Sequence, residues 1–185
     1  GGFPLDDDWG KLLFPRGVVK GRDLANPLKL DEAKITEEAT HSWYKGSEPQ
    51  HPYQGTTEPE YTGFDAQGNV KGGEKYSWCK APRYDGEPYE VGPLARFLVA
   101  YAQGHPEIKG LVDSTLKATA LPATVLFSTL GRTAARALET KYVGDHIAEW
   151  VNELVGNLKA GDTRTWTRCD VPDKGEGRGL TEVPR

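Results

Sequence analysis

The stretch from Pro122 to Lys159 constrains this chain most. Its apolar residues fall at Leu126, Leu130, Ala134, Leu138 and Tyr142, then at Ile147, Val151, Leu154 and Leu158. Steps of three to five residues follow the turn of an α-helix and exclude the alternation of a strand. An unbroken helix of that length would reach about 57 Å, wider than a small domain. Gly131 or Gly144 is therefore expected to bend or interrupt it, and Gly161 to end it. Ala134, Ala135 and Ala137 permit close approach of other helices. No strict heptad persists, which favours a bundle over a coiled coil.

Two shorter helices precede it. Gly92-Pro93 puts proline at a helix start, where its missing N–H costs nothing, and LARFLVAYAQG then runs to a glycine stop at Gly104. Residues 107–119 read as another short helix. Before residue 91 the pattern is different. The chain holds 22 glycines and 13 prolines among 185 residues, so long irregular stretches are expected. Five tryptophans and eight tyrosines argue against disorder. LLFPRGVV (Leu12 to Val19) reads as strand-turn-strand, broken by Pro15 and Gly17. DEAKITEEATHSWYK (31–45) reads as a short helix with Ile35, Ala39 and Trp43 on one face. Residues 46–75 form a long connection, anchored by Tyr53, Tyr61 and Phe64, with a surface hairpin turn in FDAQGNVKGG. A short strand is expected from about Lys75 to Cys79. The fold class is thus mainly α: a long-helix bundle segment with extensive irregular loops and a few short strands. Residues 1–90 form a loop-rich region, 91–161 the helical bundle core segment, and 162–185 a return to loop.

Composition removes several functions. The formal charge of −4 and the lack of a dense basic patch argue against nucleic acid. No run of eighteen apolar residues is present, as a membrane-spanning helix would need. The start at Gly1 and the absence of methionine suggest a processed chain or an internal fragment. Cys79 and Cys169 form no C-x-x-C pair and read as two free, buried thiols, with one disulfide as the alternative. His41, His51, His105 and His146 lack ligand spacing, and His41 reads as structural. Asp6, Asp7 and Asp8 read as a solvated turn rather than a cation site. The glycines from Gly175 to Gly179 lack the Lys and Ser or Thr of a phosphate-binding loop.

Positive charge and backbone constraint concentrate in KAPRYDGEPYEVGPLAR (Lys80 to Arg96). A buried guanidinium needs acceptors, and Asp85, Glu87 and Glu90 are nearby candidates for Arg83 and Arg96. This favours an internal ion-pair network over direct catalysis. At the other end, Glu182 and Arg185 flank Val183-Pro184. Proline sets the local backbone and aims the arginine; a chain end in solvent is the competing reading.

YSWCKAPRYDGEPYEVGPLAR (Tyr76 to Arg96) resembles an internal signature of the large subunit of nickel–iron uptake hydrogenases. ITEEATHSWYKG followed by HPYQGTTEPEYTGF resembles the segment before that signature. GEGRGLTEVPR resembles the stretch leading into E-[AV]-P-R-G-A-L-G-H-W. The similarity covers nearly all of the chain. It implies an enzyme interconverting H2 with protons and electrons at a nickel–iron centre, whose iron carries carbon monoxide and cyanide. The family's four metal-binding cysteines lie in two C-x-x-C motifs, neither of which is here, so no metal-bonding residue is expected in this chain. Cys79 then reads as buried packing. By the family pattern Arg185 matches the arginine over the open nickel–iron face, and Pro184 the proline beside the iron's diatomic ligands. Arg83, Glu90, Arg96 and Glu182 are the structural network around them. The resemblance further implies an iron–sulfur small subunit as partner, the remainder of the large subunit, and attachment through a membrane cytochrome on the periplasmic side, a cytoplasmic location being the other option. The rival reading is a non-catalytic helical scaffold or interaction module, akin to a metal-free subunit of quinone-reducing complexes.

Overall fold

A computed structural model describes residues 13–55, 57–71, 74–166, 170 and 172–175. It is mainly helical, with two short strands among the described residues. The elements are β1 (Ile35–Glu38), β2 (Ala81–Tyr84), α1 (Pro93–Ala102), α2 (Pro106–Thr119) and α3 (Thr129–Lys159). Two units result. One is Leu30–Glu90; the other joins the segment before it, described from Leu13, to the chain from Val91 onward.

The helical unit is built by its caps. Pro93 opens α1 after Gly92, whose φ of 104° suits only glycine. Gly104, at φ 76°, ends that helix. The ring of His105 then accepts from Ile108 N–H to start α2, with Pro106 at the first helical position. Leu94, Phe97, Leu98, Ile108, Val112 and Tyr142 form the core, with Leu126 and Ala135 beside them. Phe14 joins it, 5.6 Å from the Tyr142 ring and 6.1 Å from Phe97. Gln103 Nε2 donates to the Arg16 carbonyl at 3.1 Å, and Val18 pairs with Leu28 through two backbone hydrogen bonds. The described part of LLFPRGVV, from Leu13, therefore makes one isolated bridge rather than the expected strand-turn-strand. Pro15 and Gly17 leave no run of residues able to extend the ladder.

The long helix departs from expectation at its start. Ala123–Leu126 form a 3-10 turn, and the α-helix begins only after Ser128. Ser128 Oγ accepts from Gly131 N–H at 3.1 Å and donates to the Val125 carbonyl at 2.6 Å, so one side chain closes the turn and caps the helix. The 31 residues of α3 run through both Gly131 and Gly144 without interruption, a length of about 46 Å. Gly161, at φ 84°, follows its end.

Tyr142 gives this core a pH dependence. Burial, and then the negative charge of Glu107 and Glu149, push its phenol from 10.0 up to about 12. The fold favours the protonated ring, so this contribution is whole below pH 10 and is lost as pH climbs from 10 to about 12. Tyr142→Phe should raise the midpoint of alkaline unfolding, followed by far-ultraviolet circular dichroism. An unchanged midpoint would assign alkaline unfolding to other groups.

The loop-rich unit contains the main corrections. Residues 31–45 are not a helix. Asp31 caps one 3-10 turn, Glu32–Lys34, and the chain then extends as β1. β1 pairs antiparallel with β2 in the register Ile35↔Tyr84 to Glu38↔Ala81. Pairing outweighs helix propensity here, since Glu37 also exchanges both backbone hydrogen bonds with Gln50 on its other side. That explains how Pro82 sits in a strand: it lies opposite Glu37, whose backbone groups point toward Gln50. The strand expected at Lys75 to Cys79 is absent. Ser77 makes one parallel bridge to Ser42, and the ladder forms later, at Ala81.

Residues 46–71 are held from within the unit. Trp43, 6% exposed, meets the rings of Tyr61, Phe64 and Trp78 at 4.9, 5.8 and 5.2 Å. Tyr53 packs on His51 instead. Lys75 spans the loop to Glu60 at 2.8 Å, and Lys80 reaches Glu37 at 3.0 Å and Thr57 at 2.8 Å. The expected hairpin turn is present: Phe64 bridges Val70, and the Asp65 carboxylate accepts from the backbone of Gln67 and Asn69. Cys79 is exposed and free, not buried packing. It sits just before β2, where the unit uses its carbonyl, which accepts from the buried Ser42 hydroxyl, rather than its thiol. Cys169 lies outside the described residues.

Candidate functional site

The arginine-bearing stretch crosses from one unit into the other, so its two arginines have separate settings. Arg83 stands on β2. Its guanidinium lies 3.4 Å from Glu38, the diagonal neighbour across the two strands, and donates to the Pro82 carbonyl at 3.0 Å. Asp85 does not serve as a local acceptor for it. With φ of 54° it forms, with Gly86 at 76°, the centre of a tight turn closed by Tyr84 and Glu87, and its carboxylate lies 3.6 Å from Lys34. Positive φ at both central residues marks the mirror-image hairpin turn that Asp-Gly favours. Glu90 is exposed, next to the half-buried Tyr89.

Arg96 stands one turn into α1. Its Nε and Nη2 donate to Glu139 Oε1 at 3.0 and 2.7 Å, and Nη2 also reaches Oε2 at 2.9 Å. Both side chains are largely buried, at 15% and 19% exposure. The guanidinium carbon lies 5.8 Å from the Phe14 ring centre. This pair locks α1 to α3. Glu139 was not among the acceptors expected from the sequence, because a partner 43 positions away on another helix leaves no local mark. The cue available was weak: Glu139 is the single carboxylate between Leu121 and Tyr142.

The histidines are structural. His41 bonds the Glu74 carbonyl and stacks on Tyr76, His51 bonds the Glu32 carbonyl, and His105 caps α2. His146 bonds the Tyr142 carbonyl and points Nε2 at Glu107, 3.4 Å away. Among the described residues no group of three or more His, Cys, Asp or Glu converges as a metal site. Glu182, Pro184 and Arg185 lie outside the described residues, as do Asp6 to Asp8 and most of the Gly175–Gly179 run.

What this framework is part of follows from comparison. A family model described as nickel-dependent hydrogenase matches residues 1–185. The chain belongs to the nickel-dependent hydrogenase family. It is 45% identical to the uptake hydrogenase large subunit of Rhizobium leguminosarum bv. viciae, over 94% of this chain and 32% of that protein. It is 42% identical to the quinone-reactive Ni/Fe-hydrogenase large chain of Wolinella succinogenes, again over 94% and 32%. Among solved structures, the [NiFeSe]-hydrogenase of Dm. baculatum matches all of this chain and 35% of its own, with a TM-score of 0.66 and 29% identity. The chain thus spans about a third of the length of the relatives it matches. For a member of this family, the described residues do not fit the role of metal holder. Among the described residues, neither Cys79 nor any histidine belongs to a cluster of three or more His, Cys, Asp or Glu able to hold a metal ion.

Proposed function

We propose that this chain is part of the catalytic large subunit of a nickel–iron hydrogenase that interconverts H2 with protons and electrons. The match of the family model to every residue of the chain carries this reading. The nickel–iron centre, with its carbon monoxide and cyanide ligands, belongs to cysteines outside these 185 residues. Electrons pass to iron–sulfur clusters of a small subunit, on the periplasmic side of a membrane whose cytochrome accepts them. The part of this chain described above supplies framework: an ion-paired helical unit and a loop-rich unit ordered around Trp43.

The test uses the intact complex containing this sequence. Hydrogen-dependent dye reduction, with stoichiometric nickel and iron by elemental analysis, is the expected result. A complex that assembles fully but contains neither metal would instead support the metal-free scaffold.

Arg185 is the residue of this chain assigned to the reaction. Its guanidinium acts by charge and by its fixed fork of donors, with Pro184 setting its position beside the iron's ligands and Glu182 within the supporting network. Arg185→Lys keeps the charge and loses the fork. Turnover should fall about 100–1000-fold, the scale of losing one preorganised donor. Nickel and iron content should stay unchanged. Full activity at full metal content would remove Arg185 from the mechanism.

A further inference from the structure

The rings of the loop-rich unit make a continuous path from its interior to its surface. Trp43 is the buried end, at 6% exposure, and its ring centre lies 4.9 Å from that of Tyr61 and 5.2 Å from that of Trp78. Tyr61 and Trp78 stack on each other at 5.8 Å, their planes 16° apart. Exposure climbs along the path, to 46% at Trp78 and 61% at Tyr61. Filling space needs only apolar bulk, which phenylalanine or leucine would supply. These three positions instead carry two indoles and a phenol, the aromatic side chains that give up one electron most readily. A buried indole N–H normally finds an acceptor, yet Trp43 Nε1 has none among the described residues.

We propose that Trp43, Trp78 and Tyr61 conduct an electron vacancy from the inside of this unit to water. A one-electron oxidant that reaches either indole is reduced by one electron and leaves an indole radical cation. Trp43 has no acceptor for its N–H proton, so its oxidised ring keeps its charge and draws an electron from a ring in contact. Tyr61 supplies that electron and its phenol passes its proton to water. The indole is restored, and the path ends in a neutral tyrosyl radical at the exposed end. A diffusible reductant such as ascorbate then returns one hydrogen atom and restores the phenol. Tyr44 also contacts Trp78, at 5.7 Å, but two features exclude it as the end point. Its hydroxyl donates to the Trp78 carbonyl at 3.0 Å, a base too weak to take the proton. The Lys80 ammonium lies 5.5 Å from the Tyr44 ring centre, and its charge opposes a positive ring there. Phe64, 5.8 Å from Trp43, is too hard to oxidise and only encloses the path.

The experiment exposes the assembled complex to a low dose of azide radicals, which take single electrons from indoles and phenols. A nitroso spin trap captures tyrosyl radicals. Peptide mass spectrometry then reads trap adducts at Tyr61 and oxygen addition at Trp43 and Trp78. The unmodified complex should carry the trap on Tyr61 and little added oxygen on either tryptophan. Tyr61→Phe keeps the ring and removes the proton that leaves, so oxygen addition at Trp43 and Trp78 should rise severalfold. Tyr44→Phe removes another phenol that packs on Trp78 and should leave both tryptophans as they were. An equal rise in the two variants would mean loosened packing and overturns the proposal. Unchanged tryptophan oxidation in Tyr61→Phe, or no trap on Tyr61 in the unmodified complex, overturns it as well. The readout does not use H2, so its outcome is separate from that of the catalytic reading above.

Discussion

Gly131→Ala should destabilise the helical unit by about 3 kcal/mol or more, at the upper end of what overpacking costs. A Cβ at this position would overlap the Leu126 carbonyl oxygen and lie 2.7 Å from the Leu126 Cα. The obstacle is backbone, held by the 3-10 turn and by Ser128, which bonds both Val125 and Gly131. No rotamer change can relieve it. Gly144→Ala is the internal control. It meets nothing within 4 Å, and alanine there should stabilise α3 by about 0.5–1 kcal/mol through helix propensity alone. Urea unfolding of the polypeptide carrying each change separates the two. Equal effects would mean that close packing at Gly131 does not hold the helix start.

Glu139→Ala should cost about 2–3 kcal/mol. Breaking a fully buried pair costs about 3–5 kcal/mol because one charge loses its principal counter-charge, and the residual exposure of this pair and the further contacts of Arg96 moderate that. Arg96 would keep its place beside Phe14 with its main carboxylate gone. The double change Arg96→Met with Glu139→Leu should recover most of the loss, since apolar groups of similar volume avoid stranding a charge. Should the double variant be as unstable as the single one, the pair contributes net stability and not merely avoidance of a penalty. Unfolding curves of the two single variants and the double variant decide between these outcomes.

The helices were legible before any coordinates. Proline after glycine at Gly92-Pro93, the glycine stop at Gly104 and the three-to-five spacing from Leu126 onward are local features, and each produced the element it announced. The start of α3 was not legible to the residue. Leu126 fits the helical spacing, yet its carbonyl closes against Gly131 instead of continuing a helix. Residues 31–45 misled for a different reason. Acidic residues after Asp31 suit a helix start, but Glu37 and Glu38 find Lys80 and Arg83, more than forty positions on, in the extended form. The Asp-Gly pair at 85–86 offers a carboxylate in the sequence, but its positive φ values show that its main part is the shape of the turn.

The family of this chain was legible in linear motifs, because chemistry shared among relatives is written as runs of neighbouring residues; the roles of Pro184 and Arg185 are proposals that rest on the same motifs. Fold class was set the same way, since periodicity and capping act within a few positions. Only the tertiary structure decided that Arg96 meets Glu139, that Arg83 meets Glu38 and that Cys79 stays exposed. Only it brought Trp43 against Tyr61 and Trp78. Those outcomes depend on which distant groups satisfy a charge or cover an apolar side chain, and distance in space is not recorded in the order of residues.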